Sequence, residues 1–304
     1  MSRAECTILT LNVFHDLPTY RHLERRCELI AEAIAARRPH VAALQEVLRG
    51  TTPGDIGAKI RDGVNRICGS RLYALDYAPA DGAGDGEFSF DEGVALLSRI
   101  EAEGPAESLK YRAQVEMATE VGGQRYRLPD DRVAMRRRFR LESGARLDFY
   151  VSHLTDRPER IALSGAEFAA EFVDGAPVRT VQARELAQWA AAGSGPESTV
   201  IVAGDFNDVP ASETIASFTH AGFIDLHEAF GSGPGYTNDR DDIDVGEEHA
   251  THNQRIDYLM MRPASGRAHE VVEVGPFAGR PHRESDGTWL WPSDHIGVMA
   301  TLRL

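Results

Sequence analysis

The chain has 304 residues, of which 42% are hydrophobic and 26% charged, the composition of an ordinary globular protein. Its formal net charge is −14, which disfavours proteins that hold nucleic acid mainly by neutralising phosphates, because such binding needs lysine and arginine in excess. No apolar run reaches the roughly 20 residues of a transmembrane helix, and the N-terminus lacks the apolar region and cleavage site of a signal peptide. We therefore expect a cytoplasmic protein with no transmembrane segment, and nothing in the sequence indicates a protein partner.

The three cysteines form a sparse, odd-numbered set: Cys6, Cys27 and Cys68. None belongs to a CxxC motif or lies beside a histidine at a zinc-binding spacing. This pattern predicts buried, reduced thiols and a reducing compartment.

Short apolar runs typical of β-strands recur along the chain, at 6–13, 41–47, 92–99, 147–154, 199–206, 255–261 and 296–302. Helical spacing of apolar residues predicts helices within 20–37 and 178–192, and a third helix near Pro210 over 211–218. The strands at 133–141 and 146–153 are separated only by a turn at Ser143-Gly144, which predicts a hairpin and therefore mixed sheets. No repeat or long linker divides the chain, so we expect one domain over residues 1–304.

Two stretches have the composition of loops. Residues 79–90 are rich in glycine and aspartate, and residues 231–254 carry many acidic and few apolar residues. The acidic stretch could be taken for a calcium-binding loop, but its spacing lacks the central glycine and final glutamate of that pattern. A solvated loop is the favoured interpretation.

Polar side chains lie at or beside the ends of most of the apolar runs. Each is weak evidence alone, since a single histidine after a strand is more often structural than catalytic. Together they are Asn12, Glu46, Glu92, His153, Asp205 with Asn207, Asp257, and Asp294 with His295. Clustered carboxylates repel one another unless a cation or a proton lies among them. A hard cation with oxygen ligands, such as Mg²⁺, satisfies this requirement.

These residues also carry a resemblance to a known family. The motifs are Asn12, Gln45-Glu46, Ser152-His153-Leu154, Gly204-Asp205-Phe206-Asn207, Arg255-Ile256-Asp257-Tyr258 and Ser293-Asp294-His295. In this order they resemble the endonuclease/exonuclease/phosphatase superfamily, which includes pancreatic-type deoxyribonucleases, abasic-site endonucleases, neutral sphingomyelinases and inositol polyphosphate 5-phosphatases. The resemblance implies an α/β (α+β) four-layer sandwich, in which two mixed β-sheets pack face to face with helices on both outer sides. It also implies an active site at one edge, where the strand ends converge.

The resemblance further implies a role for each residue of the site. Glu46, with Asn12 and Asp294, would hold a catalytic Mg²⁺, directly or through water, with Mn²⁺ as a substitute. Asp205 would orient or deprotonate the attacking water, and Asn207 would donate to the phosphoryl group. His153 and His295 would flank the phosphate and stabilise the negative charge of the transition state.

Three further residues are expected to support that site. Asp257 is the expected partner of His295. Glu92 is the candidate partner of His153, because deoxyribonuclease-like members have a glutamate at the head of the corresponding strand. Arg132 is a candidate ligand of a substrate phosphate, although a surface charge within a run of arginines is an equally good interpretation.

The family resemblance predicts a metal-dependent phosphoric ester hydrolase but leaves the substrate open. The acidic loops carry few aromatic residues on which bases would stack, which favours a small phosphodiester or phosphomonoester, or a lipid headgroup, over nucleic acid. A nuclease acting on DNA or RNA is the alternative, and a non-catalytic binding module of the same fold is a second one. The number of metal ions and the oligomeric state are also left open.

Overall fold

In the computed structural model of the protein, the described residues are 4–304 except 18, 52, 86–87, 122–123, 157–166, 169–171, 174–175, 239–242, 247–252 and 267–268. The helices described within these ranges are α1 (Leu23–Arg37), α2 (Ile56–Cys68), α3 (Val178–Gly193), α4 (Glu213–His220) and α5 (Leu226–Phe230).

The strands in the same ranges are, in chain order, β1 (Glu5–Asn12), β2 (Val41–Gly50), β3 (Ala74–Asp85), β4 (Phe88–Ser98), β5 (Glu107–Lys110), β6 (Val115–Val121), β7 (Gln124–Asp130), β8 (Val133–Arg140), β9 (Arg146–His153), β10 (Glu167–Phe168), β11 (Phe172–Val173), β12 (Ala176–Pro177), β13 (Ser198–Asp205), β14 (Ile224–Asp225), β15 (Asp257–Arg262), β16 (Glu270–Phe277), β17 (His282–Arg283), β18 (Trp289–Leu290) and β19 (Gly297–Arg303).

Two six-stranded sheets form the centre of the fold. The first sheet has the order β16-β19-β1-β2-β4-β3 and the second has the order β14-β15-β13-β9-β8-β5. Each contains one parallel pair, β1 with β2 and β9 with β13, among antiparallel neighbours. The smaller sheets are β10-β6-β7, β11-β12 and β17-β18. The predicted mixed sheets are therefore confirmed.

The buried side chains divide into layers. One core lies between the two large sheets and includes Ile8, Val41 and Leu96 from the first and Phe149 and Ile201 from the second. Because both faces of each large sheet are buried, the sequences of its strands are continuous apolar runs rather than alternating apolar and polar residues.

Helices cover the outer face of each large sheet. On the first sheet, Cys27 and Ile30 of α1 pack with Leu11 and Leu44. On the second sheet, Leu186 of α3 and Phe218 of α4 join the cluster of buried side chains that contains Val202. The fold is thus an α/β sandwich with helices on both outer sides, as the family resemblance implied.

The positions of the hairpin and of the helix ends agree closely with those predicted from the sequence. The predicted turn forms between β8 and β9, with Gly144 at a φ of 77°. The third predicted helix begins two residues later than expected, at Glu213, because Ser212 Oγ accepts from Ile215 N (3.3 Å) and caps it there.

The loop prediction for residues 79–90 is wrong in the described part of that stretch. β3 and β4 form a long antiparallel pair through it, with Gly82 opposite Asp91. Glycine also permits the close approach of these strands, since a Cβ at Gly93 would lie 2.1 Å from Ala78 O. Pairing with a neighbouring strand has overridden the turn preference of the Gly and Asp residues.

The solvated-loop interpretation of residues 231–254 is also wrong for several of the residues described there. Thr237, Asn238 and Ile243 are buried. Ile243 packs in a cluster with Trp291, whose backbone N donates to Ile243 O (2.9 Å). The acidic composition of the stretch therefore did not indicate that these three residues are buried.

The three cysteines are unpaired, as predicted, and Cys6 and Cys27 are buried, but the prediction of burial is wrong for Cys68, which is half-buried. Burial raises the pKa of the Cys6 thiol to about 12, so this thiol stays protonated at neutral pH. None of the helices that the structure describes is long and apolar enough to cross a membrane.

His40 is expected to make the stability of the protein fall in mild acid. Its Nδ1 accepts from Thr7 N (2.9 Å), and burial together with the charge of Arg99 lowers the pKa of His40 to about 4. The unfolded chain binds this proton with a pKa of about 6.5, so the free energy of unfolding is highest above that pH and decreases as the pH falls toward 4. Because the imidazole is partly exposed, we expect a loss of about 1–2 kcal/mol.

Urea unfolding of the wild type and a His40→Gln variant, at about pH 7.5 and about pH 5, measures this loss. The variant is expected to lose less stability between the two pH values than the wild type. An exposed histidine provides the control, His220→Gln. An unchanged pH dependence in His40→Gln would contradict the assignment.

Candidate active site

Strand pairing brings the predicted residues to one edge of the sandwich. In the first sheet the parallel strands β1 and β2 place Asn12 beside Gln45. In the second sheet β9 and β13 place His153 beside Asp205, and antiparallel β15 places Asp257 opposite the same aspartate. The carboxyl ends of both parallel pairs therefore open on a common site, the arrangement that α/β folds often use for ligands.

Two residues of this edge have unusual backbone conformations. The register of β2 with β4 shifts between Leu44 and Val47, and Glu46 within this bulge has a φ of 56°. Asn207, just after β13, has a φ of 51°. Left-handed conformations are uncommon for residues other than glycine and concentrate at functional sites. The bulge explains the direction of the Glu46 side chain. The extra residue interrupts the alternation of side chains between the two faces of β2 and turns the carboxylate toward the edge of the sandwich.

Asn12 joins the two sheets at the site. Its Nδ2 donates to Glu46 Oε1 (2.9 Å) in the first sheet and to Asp205 Oδ2 (3.1 Å) in the second. Its Oδ1 accepts from Phe14 N (3.0 Å), which fixes the orientation of the amide. One side chain thus holds two carboxylates from different sheets in a fixed relation.

Asp205 is at the centre of the site and is 1% exposed. Its Oδ1 accepts from Asn207 N (2.9 Å), while His153 Nε2 and His295 Nε2 lie 3.6 and 3.7 Å from its Oδ2. Burial, followed by the charge of Asp257, raises the pKa of Asp205 to about 8. Hydrogen bonds from Asn12 and Asn207 oppose this shift, because they favour the ionised carboxylate.

His295 contacts the carboxylate that the sequence predicted for it. Asp257 Oδ2 lies 2.8 Å from His295 Nδ1. Asp257 is itself positioned by Thr237 Oγ1, which accepts from its backbone N (3.1 Å). Burial lowers the pKa of His295, but the charges of Asp257 and Asp294 outweigh it and raise the pKa to about 10. His295 is therefore a cation at neutral pH.

The predicted direct contact between Glu92 and His153 is wrong. Arg132 stands between them, since its Nη1 donates to His153 Nδ1 (3.0 Å) and to Glu92 Oε1 (3.4 Å). Glu92 lies within β4 rather than at the head of a strand, and its Oε2 is 3.2 Å from His15 Nε2. Burial raises the pKa of Glu92, but the charges of His15 and Arg132 outweigh it and lower the pKa below its ordinary value. The carboxylate is thus an ion-pair partner of Arg132.

Sequence reasoning missed two residues that the fold brings to the site. His15 Nε2 lies 3.6 Å from Glu46 Oε2, and the charges of Glu46 and Glu92 outweigh burial and raise the pKa of His15 to about 9. Asn238 Nδ2 contacts His295 Nε2. His15 follows Asn12 by three residues, which was an available signal. Asn238 had none, because it lies in the stretch interpreted as solvated.

Two groups of side chains could hold a metal ion. Asp205, Asp257 and His295 offer ligand atoms within 4.8 Å of one another, but the contact between His295 and Asp257 already balances charge there. The predicted ligands are the other group: Glu46 and Asp294 keep 19% and 16% of their side chains exposed, and Asn12 Nδ2 donates to Glu46 Oε1. Ser293 Oγ donates to Asn12 O (2.6 Å) and so ties the turn that carries Asp294 to β1. Accessible carboxylate oxygens are the donors that a hard divalent cation prefers, so this second group fits such an ion.

Comparison with known protein families gives the class of the protein. The profile of the Endonuclease/Exonuclease/phosphatase family matches residues 9–295. The chain belongs to this family, whose enzymes are hydrolases acting on phosphoesters.

Solved structures with the same fold have diverse descriptions. A humanised TDP2 from D. rerio is 20% identical with a TM-score of 0.63, and the match covers 99% of each chain. A mannosyl-6-phosphatase from Bacteroides thetaiotaomicron is 15% identical with a TM-score of 0.63, covering 98% of this chain and 100% of that one. The human Nocturnin catalytic domain, with bound sulfate, is 20% identical with a TM-score of 0.59, covering 98% of this chain and 93% of that one. Comparison with curated proteins finds no match.

Replacing Asp257 with alanine is expected to lower turnover by about 10–100-fold, the range typical of a carboxylate that orients a functional imidazole through its second nitrogen. The reason is the loss of the 2.8 Å contact that fixes His295. Steady-state kinetics of Asp257→Ala measure the effect, with the exposed Asp62→Ala as control. Wild-type turnover in Asp257→Ala would refute the proposed support of His295.

Proposed function

We propose that this protein is a divalent-metal-dependent phosphoesterase that hydrolyses a small phosphodiester or phosphomonoester, or a lipid headgroup. The observation that carries the proposal is the amide of Asn12, which holds a partly exposed carboxylate, Glu46, against a buried one, Asp205. The partly exposed Glu46 is suited to binding a cation, and the buried Asp205 is suited to accepting a proton. Phosphoester hydrolysis needs both, because charge develops on the phosphoryl group and the attacking water loses a proton.

We assign the cation to Glu46, with Asn12 and Asp294, and take Mg²⁺ as the ion and Mn²⁺ as its substitute. When bound, such an ion supplies Lewis-acid polarisation of a phosphoryl oxygen. Asn12 lies within hydrogen-bond distance of Glu46, so it orients the carboxylate and serves as ligand directly or through water.

Asp205 is the group that orients the attacking water and takes its proton. Its backbone and amide donors, Asn207 N and Asn12 Nδ2, favour the ionised carboxylate that this role needs, but burial and the charge of Asp257 outweigh them and raise the pKa of Asp205 to about 8, so the base form predominates only above that pH. His295, cationic and fixed by Asp257, places a positive charge 3.7 Å from the same carboxylate, beside the position of the phosphoryl group. His153 flanks that position from β9, the strand that pairs with β13 on the side opposite β15. Asn207 adds an amide donor. A contact of Arg132 with a substrate phosphate stays a prediction.

The net charge of −14 supports a small substrate over a long polyanion, because nucleic acid would be repelled by most of such a surface. A nuclease is the alternative within the same chemistry. The three unpaired cysteines support a reducing compartment, and we keep the cytoplasm as the expected location.

A hydrolysis panel tests the proposal and the substrate class together. It compares bis-p-nitrophenyl phosphate, p-nitrophenyl phosphate, several sugar phosphates, sphingomyelin, and plasmid and single-stranded DNA. Each is incubated with the wild type and Asp205→Ala, in Mg²⁺ and in EDTA. Metal-dependent cleavage of a small ester that the variant lacks is the expected result.

Two outcomes contradict the proposal in different ways. Cleavage of DNA alone identifies a nuclease with the same site. No cleavage of any substrate, together with a melting temperature that Mg²⁺ leaves unchanged, identifies a non-catalytic binding module.

A further inference from the structure

A groove at the end of the first sheet opposite the candidate active site is lined by arginines. It lies between the C-terminal end of α2 and the start of β3 and has a volume of about 760 Å³. Arg61, Arg66 and Arg71 line it, together with Ser70 and Tyr73. The volume is within the range of sites that bind small organic ligands.

The groove is separate from the active site. Val41, the first residue of β2, pairs with Ser98, and Ser98 also pairs with Ala74 on the wall of the groove. Glu46 lies toward the other end of β2. From the edge that carries the site, α2 returns to the groove over 13 residues, Ile56–Cys68, which is a length of about 20 Å. A ligand in the groove would therefore bind about one helix length from the site.

The chain segments around the groove are strongly basic. Segments 37–40, 60–75 and 98–100 contain six arginines and one acidic residue, Asp62, in a chain whose formal net charge is −14. Two contacts join the three segments into one surface: Tyr73 Oη donates to Pro39 O (2.7 Å), and Arg99 Nε donates to Arg38 O (3.0 Å). Positive charge is thus concentrated at one end of a protein that is acidic as a whole.

Most of these arginines have no carboxylate partner within the part of the chain that the structure describes. The four whose side chains are exposed and unpaired in that part are Arg37, Arg38, Arg66 and Arg71. Arg61 is different, because its Nη2 lies 2.7 Å from Asp62 Oδ1. Exposed arginines elsewhere are commonly paired in the same way, as Arg303 is with Glu5 (2.9 Å).

The ends of two helices account for only part of this charge. Helices α1 and α2 both end at this surface, at Arg37 and Cys68, and a helix C-terminus carries roughly half a negative charge. The two termini together therefore balance about one arginine. The remaining positive charge is available to an anion from outside the chain.

We propose that this groove binds a small ligand that carries at least two phosphoryl groups. A guanidinium presents a planar fork of N–H donors that matches two oxygens of one phosphoryl group, and it stays charged at physiological pH. Arg66 and Arg71 provide two such forks in one groove, and the hydroxyl of Ser70 provides a further donor. A long polyanion such as nucleic acid is a poorer match, because the protein surface as a whole is acidic. The groove goes beyond the proposed function and does not depend on it.

NMR of protein labelled with ¹⁵N-arginine tests the groove, with pyrophosphate as the probe. The titration is made at constant ionic strength and in EDTA, so that no divalent ion draws pyrophosphate to the acidic active site. The Nε–Hε signals are assigned by their loss in Arg66→Met and in Arg71→Met. We expect saturable shifts of both signals, with a dissociation constant below about 1 mM.

A double variant measures how much the two arginines contribute. Arg66→Met/Arg71→Met is expected to bind pyrophosphate at least about tenfold more weakly than the wild type in calorimetric titration, because it loses two charge-assisted contacts. Arg112→Met/Arg184→Met removes two arginines whose side chains are 87% and 51% exposed, and it should bind like the wild type. All four positions are exposed, and urea unfolding checks that both double variants are folded.

Orthophosphate tests the number of phosphoryl groups. We expect it to bind at least about tenfold more weakly than pyrophosphate, because it can engage only one of the two forks fully. Equal affinity for the two anions would overturn the assignment of a ligand with two phosphoryl groups.

Three further results would overturn the proposal. They are the absence of a saturable shift up to about 10 mM pyrophosphate, an equal loss of affinity in the two double variants, and tighter binding of a single-stranded DNA oligomer than of pyrophosphate by the same arginines. The last result would identify a nucleic-acid surface. Because no measurement uses hydrolysis, an active hydrolase that binds no pyrophosphate refutes this proposal alone, and an inactive protein that binds it refutes the proposed function alone.

Discussion

Replacing Asp205 with asparagine is expected to lower turnover by about 10²–10⁴-fold, the contribution of a well-placed general base. Asparagine has nearly the same shape and keeps an oxygen for the donor Asn207 N, which lies 2.9 Å from Asp205 Oδ1. It cannot take a proton from water. The loss should therefore appear in kcat, measured on whichever panel substrate the wild type cleaves in Mg²⁺.

The same variant is expected to fold as well as the wild type or better. Asp205 is a buried carboxylate whose pKa is raised by burial and by the charge of Asp257, so its ionised form is a cost to stability that asparagine removes. Urea unfolding in EDTA measures this, with the exposed Asp62→Asn as control. Turnover within a few-fold of the wild type would rule out Asp205 as the base, and a large loss of stability would show that the activity change is not informative about chemistry.

Replacing Glu46 with glutamine is expected to lower turnover by about 10²–10³-fold at a fixed Mg²⁺ concentration, because Lewis-acid stabilisation of phosphoryl charge amounts to several kcal/mol. The amide keeps the size of the side chain and one oxygen, but not the negative charge. Two measurements report the metal directly: the Mg²⁺ dependence of the rate and the shift of melting temperature on adding Mg²⁺.

We expect Glu46→Gln to show a smaller Mg²⁺-induced shift than the wild type, and we expect Glu142→Gln, which changes an exposed glutamate, to match the wild type. A near-normal rate of Glu46→Gln in excess Mg²⁺ would refute the metal assignment. If the rate falls while the thermal shift is unchanged, Glu46 acts on the substrate or on His15 rather than on the ion.

The sequence alone was sufficient for the class of fold and for naming most of the residues that lie together at one edge of the sandwich. Apolar runs of strand length, alternating with helices such as 20–37, predicted a fold of strands and helices. The family resemblance implied two sheets packed face to face, and Ser143-Gly144 predicted the hairpin between β8 and β9 and therefore mixed sheets. These signals are local: a few neighbouring residues fix a turn or a helical face. The polar residues after the strands were also visible in the sequence, and the family resemblance implied that these strand ends converge at one edge. The contact between Asp257 and His295 followed from the family motifs and is confirmed as a contact.

The partners of those side chains were decided only by the tertiary structure. Glu92 was assigned to His153, but Arg132 occupies the space between them and gives the histidine the opposite electrostatic environment. The neighbours of each charged side chain depend on the packing of β4 in one sheet against β8 and β9 in the other. The spacing of these residues along the chain does not determine the distances between their side chains. The same holds for Asn238, which reaches His295 from a stretch whose composition indicated only a solvated loop.

The backbone conformation at Glu46 is a second feature that only the tertiary structure decided. The bulge that turns Glu46 toward the edge results from the pairing of β2 with β4, and the sequence of β2 does not reveal it. Local propensity therefore determined which residues stand at the strand ends, because it acts within a few residues. The packing of two sheets decided which of them meet and with what charge, because electrostatic contacts act across space and not along the chain.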